Sequence, residues 1–288
     1  MIKSIVRYSI ALIAFCSMPL LAQNLAPNPD FLDGASSHTY KVIDGVALRL
    51  HVYHAVNPEQ DPAPAIVFFF GGGWRNGSIS QFVPHATHLA ASGITAIVAD
   101  YRVANRHGST VAEALADAKS AVRWIRANAA TLDIDPNRLA AGGGSAGGHL
   151  AAATAVVTGF DSKRDDHAVS AQPNLLVLFN PALDTARIGP NRPQQFGDDG
   201  EALSVLHQLS DASVPTVIFH GKADRTVPYA EAEEYCEKLN GLGGRCDLHG
   251  YEGATHGFFN KARDDGRWYR PTVATMDEFL AEQGYLSP

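Results

Sequence analysis

A serine lies within a glycine cluster whose spacing suits nucleophilic chemistry. Residues 143–147, Gly-Gly-Ser-Ala-Gly, fit the pattern G-x-S-x-G, follow a short apolar run and precede the Ala/Val-rich stretch 150–157. In this strand-turn-helix context the glycines let strand and helix approach closely, and the serine is turned out of the sheet. The N-terminus of the following helix favours negative charge beside the Ser145 hydroxyl. We therefore predict that Ser145 is a nucleophile.

A serine hydroxyl needs a positioned base, and His256 is the candidate. It lies in a glycine-flanked loop after the last predicted strand. His149 follows Ser145 by one helical turn and points along the helix rather than over the hydroxyl. His220 ends a predicted strand, where a structural role is expected. Because His256 must be neutral to accept a proton, we expect activity to fall as imidazole protonates at acidic pH.

The base in turn needs an orienting acid, and Asp224 is the candidate. It follows a predicted strand within the segment 220–228. A carboxylate there accepts the ring N–H of His256 and stabilises the imidazolium that forms during attack. Asp184, a few residues after the preceding predicted strand, is the alternative acid.

Negative charge that develops on a substrate carbonyl oxygen requires donors already in place. We predict three backbone N–H donors, those of Ala146, Gly72 and Gly73. The two glycines belong to a run that follows the apolar strand 65–70, and side chains there would block the approach of substrate to the backbone. Trp74, directly after this run, is the candidate substrate-binding side chain.

Buried apolar runs alternate with amphipathic segments along most of the chain, which predicts an α/β fold with a mostly parallel, eight-stranded sheet and helices on both faces. Asp44-Gly45 predicts an antiparallel N-terminal hairpin. The candidate residues follow predicted strands, so they are expected to meet at the carboxyl edge of the sheet. The segment 184–213 lacks sheet character and is expected to form a substrate rim or part of a lid. The predicted strands are 40–43, 46–53, 65–70, 94–99, 138–141, 175–179, 216–219 and 245–249, and the predicted helices include 80–92, 111–130, 229–239 and 272–282.

The amino terminus reads as a secretory signal over residues 1–22. It carries Lys3 and Arg7, then an apolar core too short to span a bilayer, then a small residue before a polar stretch. An uncleaved amino-terminal anchor is the alternative. With cleavage, residues 23–288 form one catalytic domain that is periplasmic or secreted and has no stable membrane insertion.

Charge and cysteine content restrict the partners and the compartment. The formal net charge of −7 disfavours nucleic acid and anionic membrane surfaces as partners. Cys236 and Cys246 remain after the signal, and an exported chain with two cysteines can form a disulfide. We predict that they are bonded, with two buried free thiols as the alternative. The sequence does not indicate an oligomeric state.

Taken together, four segments resemble the α/β-hydrolase superfamily, closest to the esterase/lipase branch with an HGGG-type oxyanion loop and, within it, to secreted feruloyl and acetyl-xylan esterases. The segments occur in the family's chain order across nearly the whole mature chain. Phe70 stands where the family has a histidine that braces the loop without reacting. The segments are 70–74 (Phe-Gly-Gly-Gly-Trp), 143–148 (Gly-Gly-Ser-Ala-Gly-Gly), Asp224 and 255–258 (Thr-His-Gly-Phe).

This resemblance implies a serine hydrolase that needs neither metal nor cofactor. We expect Ser145, His256 and Asp224 to remove acetyl or feruloyl groups from a carbohydrate through an acyl-enzyme. Small-molecule and polysaccharide esters are the expected substrates, and the acidic chain suits neutral or cationic ones. A general short-chain carboxylesterase and an arylformamidase-like hydrolase are alternatives within the enzyme class. A non-catalytic binding protein of this fold is the alternative outside it.

Overall fold

The computed structural model describes residues 28–210 and 214–287, so the predicted signal at residues 1–22 lies outside the described residues. Within these ranges no helix combines the length and apolar character needed to cross a membrane. The strands found there are β1 (Ser36–Ile43), β2 (Val46–Tyr53), β3 (Ala63–Phe69), β4 (Thr95–Ala99), β5 (Ile134–Gly144), β6 (Leu175–Phe179), β7 (Thr216–Gly221) and β8 (Cys246–Tyr251).

All of these strands belong to one eight-stranded sheet, in the order β1-β2-β4-β3-β5-β6-β7-β8. Strand β2 pairs antiparallel with β1 and β4, and the remaining neighbours pair in parallel. Every residue of β3 is buried, as is usual for a strand covered by helices on both faces. The predicted fold class is therefore confirmed.

The N-terminal hairpin turns at the predicted dipeptide. Asp44 and Gly45 have φ values of 50° and 79°. Positive φ at both central residues is the backbone of a type I′ turn, whose twist matches that of the flanking strands.

Helices follow most strands and cover the sheet. The longest, α3, begins with a capping box in which the side chains of Thr110 and Glu113 each bond the other's backbone N–H. In the described ranges the helices are α1 (Val83–Ala91), α2 (Ala104–His107), α3 (Val111–Ala127), α4 (Ala129–Leu132), α5 (Ala146–Val156), α6 (Thr185–Ile188), α7 (Pro193–Phe196), α8 (Val205–Gln208), α9 (Tyr229–Gly241) and α10 (Tyr269–Glu282), with 3₁₀ turns at Ile79–Phe82, Gly189–Asn191 and Asp264–Gly266.

Most element boundaries differ from the predicted ones by a few residues, and two of the differences have clear local causes. The predicted helix 111–130 divides at Asn128, whose side-chain amide donates to the carbonyl of Trp124 at 2.8 Å and competes with the helical pattern. Strand β5 begins at Ile134 rather than 138, because Ile134 already pairs with Ala63 before the register shifts. The polar and helix-breaking residues Asp135, Pro136 and Asn137 lie within this irregular part of β5.

A disulfide joins Cys236 in α9 to Cys246 at the start of β8, the same pair that the sequence predicts. The two Cα atoms are 5.0 Å apart. The bond ties the helix after β7 to the strand whose end carries the loop of His256. It therefore stabilises the part of the sheet that presents the candidate base.

Removing this disulfide should destabilise the chain. Closing a loop of this length restricts the unfolded chain by about 2–3 kcal/mol. We expect the double variant Cys236→Ser/Cys246→Ser to lose about that much unfolding free energy, measured by urea titration. Reductant should shift the wild-type midpoint and leave that of the variant unchanged. Equal midpoints for oxidised and reduced wild type would contradict this expectation.

Candidate active site

The chain turns sharply at Ser145, between the end of β5 and the start of α5. Its φ and ψ are 54° and −118°, a conformation that strains a residue with a side chain. Neighbouring backbone holds the turn: the N–H of Ser145 donates to the Phe179 carbonyl at 2.9 Å, and its carbonyl accepts from the N–H groups of His149 at 2.9 Å and Ala182 at 3.3 Å. Strand β6 and helix α5 thus hold the serine in a strained position.

Glycine is required on both sides of the turn because strand and helix nearly touch. A Cβ atom on Gly147 would lie 2.1 Å from the Phe69 carbonyl oxygen. One on Gly143 would lie 2.5 Å from the Gly147 backbone. The G-x-S-x-G spacing is therefore a packing requirement of this turn.

Three loops at the carboxyl edge of the sheet bring the predicted catalytic side chains together. The Ser145 hydroxyl lies 2.9 Å from Nε2 of His256, and Nδ1 of His256 lies 2.7 Å from Oδ2 of Asp224. The carboxylate accepts from the Nδ1–H group, which leaves Nε2 free to accept the serine proton. The Asp224 carboxylate is fully buried, whereas the His256 imidazole is 25% exposed. The charged group therefore lies in the interior, and the serine and histidine that react lie nearer the surface.

Asp224 is held as an anion by donors that surround it. Burial by itself raises the pKa of this carboxyl, but hydrogen bonds from His220, His256 and the Val227 N–H outweigh it, and the pKa lies far below its ordinary value. Oδ1 accepts from the N–H groups of Thr226 at 2.8 Å and Val227 at 3.0 Å. The buried His220 bonds the Val227 carbonyl at 3.0 Å, so it supports this loop, in line with a structural role.

The alternative acid, Asp184, has other partners. Its buried carboxylate pairs with the Arg187 side chain at 2.8 Å and accepts from the Arg187 N–H at 3.2 Å. It therefore caps α6 and does not orient His256.

Asn180, which the sequence analysis did not single out, connects β6 to the histidine loop. Its Oδ1 accepts from the N–H of Gly257 at 2.9 Å, next to His256. The side chain is fully buried, with φ at 37°, and its amide nitrogen has no partner among the described residues. Its position directly after a buried strand at the carboxyl edge was the one available signal.

Two of the three predicted oxyanion donors, Gly72 and Gly73, line the same cavity as Ser145, and the third, Ala146, follows it in the chain. Ala146 is the first residue of α5, where N–H groups lack intrahelical acceptors. Within the described ranges the N–H groups of Gly72 and Gly73 donate to no protein atom. Gly72 has φ at 135°, and a Cβ atom there would lie 2.3 Å from the Asn76 carbonyl oxygen. This loop is compact and can be built only with glycine at that position.

Other contacts brace the oxyanion loop where the family has a histidine. The Phe70 ring stacks on Tyr101 at 4.2 Å, and the Tyr101 hydroxyl donates to the Phe70 carbonyl at 2.7 Å. The Gln81 side chain accepts from the N–H of Gly71 at 2.7 Å. Aromatic stacking and these two hydrogen bonds therefore fix the start of the loop.

Gln195 and Phe196, from the segment 184–213, contact the other end of this loop. The Gln195 amide, in a side chain almost completely buried, donates to the Gly73 carbonyl at 3.0 Å. The Phe196 ring packs edge-on against Trp74 at 5.2 Å. The part of this segment that the structure describes therefore forms a wall of the site, as expected for a rim.

A cavity of about 440 Å³ opens over Ser145. Trp74 lines it, although the side chain is only 3% exposed and packs edge-on against the buried His149. Burial lowers the pKa of His149 to about 4, and its Nε2 bonds the Leu203 carbonyl at 2.9 Å, so this imidazole is a neutral packing group. The residues that line the cavity are Gly71, Gly72, Gly73, Trp74, Gln81, Ser145, Asn180, Ala182, Ile188, Arg192, Thr226, Val227, His256, Gly257, Phe259, Asn260 and Arg263.

Among the residues described, no group of three or more histidine, cysteine or acidic side chains is arranged to hold a metal ion. The chemistry that this site can perform without further components is acyl transfer. It contains an activated hydroxyl, a base oriented by an acid, and donors for an oxyanion.

Comparison with known proteins places the chain among esterases. Residues 50–180 match the family BD-FAE, and residues 193–285 match the dienelactone hydrolase family. Esterase LipC of Mycobacterium tuberculosis is 28% identical over 262 residues, which cover 82% of this chain and 62% of LipC. The chain therefore spans less than two thirds of that relative.

Solved structures of esterase 2 from Thermogutta terrifontis match over nearly full length. Its apo form is 43% identical with a TM-score of 0.86, and the match covers 91% of this chain and 100% of that one. Its propionate-bound form is 44% identical with a TM-score of 0.84, covering 89% and 97%.

One pair of variants tests whether Asp224 or Asp184 is the catalytic acid. In Asp224→Asn the imidazole loses its orienting anion, so we expect turnover of 4-nitrophenyl acetate to fall about 10³–10⁴-fold. Asp184→Asn should retain turnover within a few-fold per folded molecule, as quantified by active-site titration. A large loss in Asp184→Asn with little in Asp224→Asn would reverse the assignment.

Gln195 should affect turnover more than binding, because its hydrogen bond to the Gly73 carbonyl holds in place the residue whose N–H is a predicted oxyanion donor. Loss of a complete oxyanion donor costs about 10²–10³-fold in kcat, so a displaced donor should cost about tenfold. We expect Gln195→Ala to lower kcat by that factor, with KM changed less than kcat. The exposed neighbour provides the control Gln194→Ala, which should match wild type. Equal kcat for both variants would exclude this positioning role.

Proposed function

Because this chain belongs to the esterases of the α/β-hydrolase family, we propose that it hydrolyses carboxylic esters through an acyl-enzyme formed on Ser145. The observation that carries this proposal is the continuous path of two hydrogen bonds, 2.9 Å and 2.7 Å, from the serine through His256 to Asp224. A partly buried serine in a strained turn that lines a cavity and has this support is a nucleophile suited to acyl transfer.

In the first half-reaction the Ser145 oxygen attacks the ester carbonyl while Nε2 of His256 takes the hydroxyl proton. The imidazolium then lies against the buried Asp224 anion, which stabilises its charge. The carbonyl oxygen becomes negative and is met by the N–H groups of Gly72, Gly73 and Ala146. His256 next protonates the leaving alcohol, and the acyl group stays on the serine.

In the second half-reaction a water molecule takes the place of the alcohol. His256 removes a proton from this water as it attacks the acyl-enzyme, and the same donors stabilise the second oxyanion. The proton then passes from His256 to the serine oxygen as the acid leaves. The enzyme returns to its starting state without any added group.

Short acyl groups are the proposed acyl class. The cavity over Ser145 has a volume of about 440 Å³, and Trp74 and Ile188 are among the residues that line it. The structure of T. terrifontis esterase 2 with propionate is in keeping with a short acyl chain. A general short-chain carboxylesterase satisfies these observations. Within that class, we propose acetyl groups on carbohydrates as the natural substrate, with feruloyl groups as the second carbohydrate ester.

Export is the proposed location. The amino-terminal pattern of residues 1–22 and the disulfide between Cys236 and Cys246 both support it, since disulfides persist in oxidising compartments.

A substrate panel tests this function. We expect kcat/KM for 4-nitrophenyl esters to be highest between acetate and butyrate and at least about tenfold lower for octanoate, because each added methylene must fit within a cavity of about 440 Å³. Acetate release from acetylated xylan, ferulate release from methyl ferulate and deformylation of an N-formyl arylamine separate the proposed substrates from the amidase alternative.

The matched control is Ser145→Ala, which should retain the wild-type circular dichroism spectrum and lose turnover by several orders of magnitude. If wild type and Ser145→Ala hydrolyse every ester in the panel equally slowly, the chain is a binding protein of this fold and the proposal is wrong.

A further inference from the structure

Arginines surround the opening above the nucleophile. Arg192 and Arg263 line the cavity that contains Ser145. An adjoining cavity of about 600 Å³ is lined by Arg225 and again by Arg263, and the two cavities share His256. Among the described residues, no aspartate or glutamate lines either cavity. The approach to the serine is therefore cationic.

Arg192 lies against the oxyanion loop. One of its terminal guanidinium nitrogens is 3.4 Å from the point where a Cβ atom on Gly73 would stand. Its backbone is fixed, because its N–H donates to the Gly189 carbonyl at 2.8 Å and its carbonyl accepts from the Gln195 N–H at 2.9 Å. This cation is therefore presented beside the donors that receive the substrate carbonyl.

Arg263 lies against the histidine loop. Its Nη2 donates to the Thr255 hydroxyl at 3.1 Å, and its Nη1 is 3.7 Å from the point where a Cβ atom on Gly257 would stand. Thr255 and Gly257 are the neighbours of His256 in the chain. The second cation is thus held next to the base, with guanidinium N–H groups left to bind another acceptor.

Among the residues that the structure describes, these cations have no internal counter-ion. Within residues 28–210 and 214–287, no carboxylate oxygen lies within 4.0 Å of the guanidinium groups of Arg192, Arg225 or Arg263. Nearby surface cations do pair, as Lys222 does with Glu252 at 3.2 Å. Like charges gathered in one cleft of a chain with net charge −7 create a local positive field that attracts anions.

We propose that this cleft selects esters that also carry a free carboxylate, which Arg192 and Arg263 bind while Ser145 attacks the ester carbonyl. A planar guanidinium matches a carboxylate with two parallel hydrogen bonds, which makes arginine suited to this recognition. Arg225 extends the same field over the adjoining cavity. The inference rests on the proposed esterase function, and it replaces the expectation of neutral or cationic substrates that the overall charge suggested.

Two matched pairs of substrates test whether a free carboxylate is recognised on the acyl side or on the alcohol side of the ester. The mono-4-nitrophenyl ester of adipic acid and 4-nitrophenyl hexanoate have acyl chains of equal length, with and without the charge. In 4-acetoxybenzoate the carboxylate is on the phenol that leaves as the alcohol, and in its methyl ester that carboxylate is replaced by a neutral group. We expect kcat/KM to favour the charged member of at least one pair, and this preference to shrink as ionic strength rises because salt screens exposed charges.

The decisive variant is Arg192→Glu/Arg263→Glu. Reversing both charges should lower the ratio of kcat/KM for the preferred charged ester to kcat/KM for its neutral partner about tenfold or more. Arg267→Glu/Arg270→Glu makes the same change of charge on exposed arginines that line neither cavity, and it should retain the wild-type preference. A wild-type circular dichroism spectrum shows that the double variant is folded.

Equal losses for the charged and neutral members of each pair, or no preference for a charged ester in wild type, would overturn carboxylate recognition while the esterase function stands. Absence of Ser145-dependent hydrolysis for every ester would instead overturn the proposed function. An equal loss of preference in Arg267→Glu/Arg270→Glu would assign the effect to net charge and so reject the two cavity arginines.

Discussion

The close approach of β5, α5 and the end of β3 is the constraint on which the site depends. Gly143 and Gly147 let the Ser145 turn pass against the carbonyl of Phe69, where there is no room for another atom. Hydrogen bonds from β6 and α5 hold that turn in a conformation a serine would otherwise leave. Because β3 also carries the oxyanion loop, the same packing sets the distance between nucleophile and donors.

The charge on Asp224 is the second feature on which the site depends. Asp224 is a fully buried carboxylate, yet it remains charged, since two backbone N–H groups and two imidazoles face it. A buried anion with its lone pairs satisfied can stabilise an imidazolium at once, without reorganising solvent. His256, between this anion and the serine, is partly exposed, so a substrate can reach the Ser145 hydroxyl. The Asp224 carboxylate that stabilises the imidazolium is shielded from solvent.

The oxyanion loop of this chain is held by contacts other than the histidine of the enzymes it resembles. Where the resembling enzymes have histidine, this chain has Phe70, and the loop is braced by the stacked Tyr101, by Gln81 and by Gln195 from a distant segment. That segment also supplies Arg192 at the cleft. Gln195, which holds the oxyanion loop, and Arg192, the cation proposed to bind substrate, thus lie three residues apart in the same segment, which couples substrate recognition to the geometry of the oxyanion site.

Local sequence pattern determined much of this protein. It predicts the strands, the Asp44-Gly45 turn, the glycine spacing around Ser145 and the order of the site residues along the chain. These features can be predicted because short-range steric effects and periodic burial act over a few neighbouring positions. What only the tertiary structure decided involves partners far apart in the chain. It separated Asp224 from Asp184, brought Asn180 and Gln195 to loops distant in sequence, and gathered Arg192, Arg225 and Arg263 around one cleft of an acidic chain. Contacts of this kind depend on how the sheet aligns its strand ends, and that three-dimensional alignment leaves no periodic signal in the sequence.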